Sequence, residues 1–256
     1  MKPLIVIIPV YNEEATIVEI ITRVMTHPLV DKVICVDDCS TDTTFQKISQ
    51  ILNTNQADKK IFLTRHNNNK GKGAAIKTAK ELTSQIGIPD NSIILIQDAD
   101  LEYSPDDYER VIKPILDGKA DVVYGSRFLG HNGHRVLYYW HYLGNKLLTT
   151  LSNIFTNLNM TDMETGTKAF TKTVWENLEL QECRFGIEPE ITAKVASMKL
   201  NTIGKNNVQT QARVYEVPIS YHGRSYAEGK KISWRDGVSA LRCIVVYNTI
   251  KRNFKR

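Results

Sequence analysis

A chain of 256 residues with 42% hydrophobic and 24% charged residues, 14 Gly and 8 Pro has a globular composition and can bury an ordinary core. This excludes disordered, collagen-like and integral membrane classes. Four irregularly placed cysteines, Cys35, Cys39, Cys183 and Cys243, form no disulfide framework and fit a reducing, cytoplasmic compartment. The net charge of +5 is uneven: residues 212–256 hold ten Lys/Arg against three Asp/Glu, or +7, and the remainder sums to −2. The C-terminal segment is therefore suited to substrate phosphates, an anionic membrane surface or nucleic acid.

The first half alternates β-branched runs with helical patterns, as βαβ units around a mostly parallel sheet do. Met1-Lys2-Pro3 leads into a strand over Leu4 to Ile8 and not into a signal-peptide core, and no apolar run reaches the roughly 18 residues of a spanning helix. The expectation is a soluble, cytoplasmic protein. A helix follows from about Glu13 to Met25, with Ile17, Ile20, Ile21 and Val24 at helical spacing. Lys32 to Val36 is the second strand, and Ser40 or Asp42 caps a helix running to Leu52. The third strand is Ile61 to Leu63, followed by a helix over Gly73 to Ser84. The fourth is Ile93 to Ile96, with a helix opening at Ser104-Pro105, and the fifth is Asp121 to Tyr124. Beyond Gly125 the pattern predicts helices over Tyr138–Phe155, Glu188–Ala196 and Trp234–Ile250 and a strand over Val214–Ser220. No repeat or linker interrupts the chain, which reads as one Rossmann-like α/β domain: residues 1–125 bind a nucleotide and residues 126–256 complete the site.

Ligands in open α/β sheets sit beyond the carboxyl ends of the strands. Three acidic clusters and an arginine fall there: Glu13-Glu14, Asp37-Asp38 with Asp42, Asp98-Ala99-Asp100, and Arg127. In extended geometry Asp98 and Asp100 point the same way and Glu102 continues the alternation, which suits a hard divalent cation, although Asp-x-Asp also caps helices. Lys70-Gly71-Lys72-Gly73 lacks the spacing of a phosphate loop, and its glycines are expected to permit tight packing at the helix entry.

The ordered motifs Ile-Pro-Val-Tyr-Asn-Glu-Glu (8–14), Val-Asp-Asp-Cys-Ser-Thr-Asp (36–42), Asn-Lys-Gly-Lys-Gly-Ala-Ala (69–75), Asp-Ala-Asp-Leu-Glu-Tyr (98–103) and Gly-Ser-Arg-Phe (125–128) closely resemble family 2 glycosyltransferases of the GT-A fold. The resemblance is to the branch of dolichyl- or polyprenyl-phosphate mannosyl- and glucosyltransferases. Thr-Asp-Met-Glu-Thr-Gly-Thr-Lys-Ala-Phe (161–170), Phe-Gly-Ile-Glu-Pro-Glu-Ile (185–191) and Arg-Ser-Tyr-Ala-Glu-Gly-Lys-Lys-Ile-Ser-Trp-Arg-Asp-Gly (224–237) extend it over essentially the whole chain. It implies that Pro9, Tyr11, Glu13, Val36 and Asp38 hold the nucleoside of a sugar nucleotide, with Asp98, Ala99 and Asp100 at the diphosphate. It also implies that Asp98, Asp100 and Glu102 hold Mg2+ or Mn2+, and that Arg127, Arg224 and Lys230 contact phosphates.

The implied reaction is an inverting, metal-dependent transfer of a hexose to a polyprenyl or dolichyl phosphate. A saccharide hydroxyl is the alternative acceptor, and it would need a carboxylate base from among Asp162, Glu164, Glu188 and Glu190. A phosphate acceptor needs no base, and Asp162 and Glu190 would then orient basic partners. Nucleic-acid binding leaves the acidic strand ends unexplained, and a nucleotidyltransferase would carry a Gly-rich loop where Tyr11-Asn12-Glu13 stand. Cys39 replaces the usual Gly of its motif and is expected to alter that turn, and Thr167 replaces a common Phe. Many relatives carry a C-terminal membrane anchor. Here the sequence ends in a helix with Val238, Leu241, Ile244, Val245, Tyr247 and Ile250 against Arg242, Lys251, Arg252, Lys255 and Arg256. The acceptor is expected to be reached peripherally at the membrane face or through a membrane-anchored partner subunit.

Overall fold

The structure, a computed structural model, describes residues 2–53, 60–130, 135–136, 138–201, 209–224 and 234–249, with side chains described from Asp236 in the last stretch. The described residues form β1 Leu4–Val10, α1 Ile17–Thr26, β2 Val30–Asp37, α2 Thr44–Leu52, β3 Ile61–Arg65, α3 Lys72–Gln85, β4 Ile93–Ile96, α4 Tyr108–Leu116 and β5 Val122–Ser126. They continue as α5 Tyr139–Thr156, β6 Lys168–Thr171, α6 Lys172–Asn177, α7 Ile187–Ser197, β7 Lys199–Asn201, β8 Gln209–Gln211, β9 Val214–Pro218 and α8 Trp234–Asn248. A seven-stranded sheet runs in the order β3-β2-β1-β4-β6-β5-β9, and β7-β8 make a separate hairpin. The β1-β2, β1-β4, β2-β3 and β5-β9 pairs are parallel, whereas β6 is antiparallel to both β4 and β5.

Period-two alternation sorts the strand side chains into two cores. Leu4, Val6, Ile8 and Val10 meet Ile17, Ile20, Ile21 and Val24 of α1, Ile48 of α2 and Val111, Ile112 and Ile115 of α4. Ile5 and Ile7 meet Ala75, Ile76 and Ala79 of α3, Val174 and Trp175 of α6, and Ile187, Ile191 and Val195 of α7. The sheet is thus covered on both faces, which is why its central strands read as unbroken apolar runs. Helix α8 packs on α5 and α7, with Cys243 and Tyr247 buried against Ala193.

Three departures from the predicted elements bear on the site. Helix α1 begins at Ile17 and not Glu13, because residues 14–16 form turns and the Glu13 carbonyl accepts from the Thr16 and Ile17 N–H groups. Strand β6, central in the sheet, has no predicted counterpart: Lys168 heads it, fully buried, with its ammonium paired to Glu188. The predicted fourth strand ends at Ile96, and Ala99-Asp100 is a turn closed by Leu101 in the left-handed region (φ 61°). The expected extended Asp98-Ala99-Asp100 is therefore a bend. Ile250, the expected end of the last helix, lies outside the described residues.

Candidate functional site

A cavity of about 1100 Å³ opens beyond the carboxyl ends of β1, β2, β4 and β5. Pro9, Tyr11, Glu13, Asp38, Asp98, Ala99, Asp100, Glu102, Arg127 and Arg224 all line it, so residues up to 215 positions apart meet in one place. Val36, Asp162 and Glu190 stand off its wall, and Lys230 lies outside the described residues.

At one end the loops after β1 and β2 are tied together by side chains of the predicted motifs. Ser40 Oγ accepts from the Asn12 N–H (2.9 Å), Asn12 Oδ1 accepts from the Thr41 N–H (2.8 Å), and Thr44 Oγ1 accepts from the Glu13 N–H (2.9 Å). Cys39 occupies the left-handed region at φ 63°. A left-handed residue stands where Gly is usual, with Cys39 bearing the backbone cost. Asp38 is buried: its carboxylate accepts from the Lys70 (2.9 Å) and Gly71 (2.6 Å) N–H groups and pairs with His66 Nδ1 (2.7 Å). It lines the cavity and also fastens the loop before α3. A Cβ on Gly71 would lie 2.6 Å from the Cys183 carbonyl oxygen, which bears out tight packing at this helix entry.

The acids after β4 are neutralised from two directions. Arg224 reaches Glu13 with both terminal nitrogens (3.0 and 3.1 Å) and Asp100 Oδ2 with one of them (3.3 Å), while its backbone N–H donates to Glu102 Oε1 (2.8 Å). The Tyr221 hydroxyl donates to Glu102 Oε2 (2.8 Å). Asp98 turns the other way, to Lys72 Nζ (2.7 Å), which also meets Glu188 Oε1 (3.0 Å). The two aspartates thus take different cationic partners, and both oxygens of Glu102 are engaged. Among the described residues no three His, Cys, Asp or Glu converge on a common metal position; Glu102 anchors the chain at Tyr221 and Arg224. Burial, reinforced by the Asp98 and Glu102 charges, pushes the Asp100 carboxyl up to about 7 even with Arg224 beside it. Two cavity-lining carboxylates, one of them short of positive charge, fit a divalent cation that fills its remaining positions with water and phosphate.

Lys72 is a site residue that the motif reading passed over. Burial opposes its charge, but Asp98 and Glu188 outweigh burial and raise its pKa above the ordinary lysine range. The available signal was its place between two glycines beyond a strand, which sequence spacing assigns to packing. Arg135 also lines the cavity, where it donates to the Gly223 carbonyl (2.9 Å).

At the other end Arg127 is held by Asp162 through two parallel bonds of 2.6 Å, with its own N–H on the same carboxylate (3.1 Å). Burial disfavours the guanidinium charge, yet Asp162 holds it firmly protonated. Glu216 fixes Asp162 in turn, accepting from the Thr161 and Asp162 N–H groups (2.9 and 3.0 Å). Glu190 is placed elsewhere: it accepts from the Gln181 (2.7 Å) and Glu182 (2.8 Å) N–H groups and from Lys194 (2.5 Å). Glu188 and Glu190 are two residues apart on α7, roughly 200° around the helix, so one faces the cavity and the other its opposite side. Beyond Arg127 the wall becomes apolar, with Val136, Tyr139 and Trp140 of the α5 entry exposed at the rim.

Residues 5–178 match the profile of glycosyl transferase family 2. The chain is 28% identical over 245 residues to UDP-N-acetylglucosamine–dolichyl-phosphate N-acetylglucosaminyltransferase of Methanococcus voltae, covering 91% of this chain and 94% of that protein. It is 29% identical over 234 residues to dolichol-phosphate mannosyltransferase of Pyrococcus furiosus, covering 88% of this chain and 58% of that one. Among solved structures it is similar in fold to glucosyl-3-phosphoglycerate synthase from Mycobacterium tuberculosis in complex with Mn2+, UDP and phosphoglyceric acid. The TM-score there is 0.66 at 17% identity, over 97% of this chain and 79% of that one. With the family profile spanning two thirds of the chain and the strand-end acids gathered in one cavity, this chain belongs to glycosyl transferase family 2 and is a nucleotide-sugar glycosyltransferase on a GT-A sheet.

Proposed function

We propose that the enzyme transfers a hexose or N-acetylhexosamine from a uridine or guanosine diphosphate sugar to a polyprenyl or dolichyl phosphate, with inversion at the anomeric carbon. The observation that carries the acceptor choice is the unequal cavity: its far end joins the fixed Arg127 cation to an exposed apolar rim at Val136, Tyr139 and Trp140. That pairing suits a phosphate headgroup followed by an isoprenoid chain. Both similar archaeal proteins are named for dolichyl- or dolichol-phosphate acceptors.

In this reading Tyr11 stacks on the base, Glu13 accepts from the nucleoside, and Asp98 and Asp100 lie at the diphosphate. A divalent cation bound by Asp98 and Asp100 would supply Lewis-acid neutralisation of the leaving diphosphate. Arg224 belongs to the same charge cluster and shares the developing negative charge. Arg127 positions the acceptor phosphate, whose oxygen attacks the anomeric carbon as the bond to the diphosphate oxygen breaks. No proton is transferred, because the attacking oxygen is already anionic. A hydroxyl acceptor would have Glu164 alone of the four candidate bases to draw on: Asp162 is bound to Arg127, Glu190 lies off the cavity, and Glu188 is held between Lys72 and Lys168. No described helix is long and apolar enough to cross a membrane. The exposed aromatic entry of α5 is therefore proposed as the contact with the membrane face, with Tyr and Trp at the interface depth they favour.

The test is incubation of the purified chain with a panel of UDP- and GDP-sugars, Mn2+ or Mg2+ and a polyprenyl phosphate, followed by mass measurement of the lipid. A single added hexose or N-acetylhexosamine is expected, lost with chelator. Product found on a soluble glycan and absent from the lipid would overturn the acceptor assignment.

A further inference from the structure

Glu164 is a cavity carboxyl that the roles above do not use. Its segment is pressed against Asp98: a Cβ on Gly166, two residues on, would collide with Asp98 Oδ2, and the Gly166 N–H donates to the Tyr103 hydroxyl (3.1 Å). Upstream the chain is fixed by the Asp162–Arg127 pair and downstream by Lys168 on Glu188. Glu164 itself lines the cavity, yet its Oε1 is buried with no hydrogen-bond partner. Buried polar atoms of folded proteins are nearly always paired, so an orphan acceptor on a cavity wall points to a ligand that completes it.

Around Glu164, Asp98 and Glu188 are bonded to Lys72, Glu188 also to Lys168, and Asp162 to Arg127. Among the described residues, Glu164 is the carboxyl of this group without a cation bonded to it. A sugar hydroxyl or acetamide N–H can donate to that carboxyl. A second carboxylate placed there meets like charge.

We infer that Glu164 hydrogen-bonds the sugar of the donor, and that its uncompensated carboxyl restricts the enzyme to uncharged donor sugars, hexoses or N-acetylhexosamines, against uronic acids. The inference rests on reading the cavity as a nucleotide-sugar site, and the test separates the two. Calorimetry at pH 8, where the Glu164 carboxyl is ionised, on the full chain with Mn2+ compares UDP, UDP-glucose, UDP-N-acetylglucosamine and UDP-glucuronate, and in parallel GDP, GDP-mannose and GDP-mannuronate.

In the series that binds, the neutral sugar nucleotide is expected to bind at least 10-fold more tightly than its uronate. Glu164→Ala is expected to lower affinity for the neutral sugar nucleotide about 10-fold while leaving the bare nucleoside diphosphate unchanged. Glu164→Gln keeps the shape and removes the charge, and is expected to shrink the uronate penalty by about 10-fold. Equal losses for diphosphate and sugar nucleotide in Glu164→Ala, or an unchanged uronate ratio in Glu164→Gln, would overturn the assignment. So would a Glu164→Gln enzyme that binds the sugar nucleotide normally but no longer turns it over, because Glu164 would then be a base. If neither nucleotide series binds the wild-type chain, the proposed function itself falls, and this inference with it.

Discussion

The two ends of the cavity are built in different ways. At the Tyr11 end, the loops after β1, β2 and β4 are knitted by backbone-to-side-chain bonds, and buried carboxylates sit at fixed distances from Arg224 and Lys72. At the α5 end, one rigid pair, Arg127–Asp162, stands beside a wall of exposed apolar side chains, with Trp140 76% and Val136 88% exposed. Preorganised charge serves a transition state that develops charge. An open apolar rim serves a ligand whose larger part stays outside the protein. The difference predicts that injury to the first end is paid in turnover and injury to the second in acceptor recognition.

The largest effect is expected from Asp100→Ala, which removes a carboxylate proposed to lie at the diphosphate. Turnover should fall on the order of 10³-fold with an unchanged circular dichroism spectrum, and full activity in the presence of chelator would sink the metal role. Asp162→Ala leaves the Arg127 guanidinium buried without its partner. Urea denaturation should show a loss of about 3–5 kcal/mol, and a loss below about 1 kcal/mol would mean that the pair is less desolvated than its burial indicates.

Glu164 comes next. Burial, with Glu188 nearby, raises its carboxyl from 4.5 to about 7, so the folded state holds a proton that the unfolded state has released between these values. Wild-type stability from this group therefore falls as pH rises from about 4.5 through 7 and is level above. Glu164→Gln lacks the loss, and its stability relative to wild type should grow by on the order of 2 kcal/mol between pH 5 and 8. A constant difference across that range would contradict the shift.

Trp140→Ser should raise KM about 10-fold for a long-chain polyprenyl phosphate in vesicles and leave KM for a short, water-soluble isoprenyl phosphate unchanged. Equal changes for both would place Trp140 at the headgroup and not along the chain. The smallest effect belongs to Cys39→Gly, which relieves a left-handed side chain at φ 63° while adding unfolded-chain entropy, for a net gain of about 0.5 kcal/mol.

The Tyr11 end was legible in the sequence because strand ends can be counted from apolar runs, and ligands of such sheets gather there. Nine strand-end or loop residues from Pro9 to Arg127 do line the cavity. What escaped reading depended on three-dimensional pairing. Strand β6 begins with a lysine made tolerable by a buried Glu188, the Thr165 carbonyl and the Tyr124 ring, so hydropathy hides it. Lys72 looked like part of a packing motif because its partners, Asp98 and Glu188, come from β4's end and α7. Strand geometry puts Asp98 and Asp100 on one face, whereas the positive φ at Leu101 bends the chain. Glu188 and Glu190 are neighbours in sequence, but helical geometry sends them apart.

Arg224 and Glu13 are 211 residues apart, and that separation makes the order of synthesis matter. The central strand β6 and edge strand β9 both come from the later part of the chain, so β5 lacks both neighbours until residues 168–171 and 214–218 are made. Contacts of such long sequence separation form late in folding, and a chain emerging from its N-terminus holds its acidic loops without their arginine until nearly nine-tenths of its length exists. An incomplete translation product ending before residue 224 therefore carries the strand-end acids with no internal counter-ion from Arg224 to hold them, and it also lacks α8, whose Asp236, Gly237 and Ala240 complete the cavity wall.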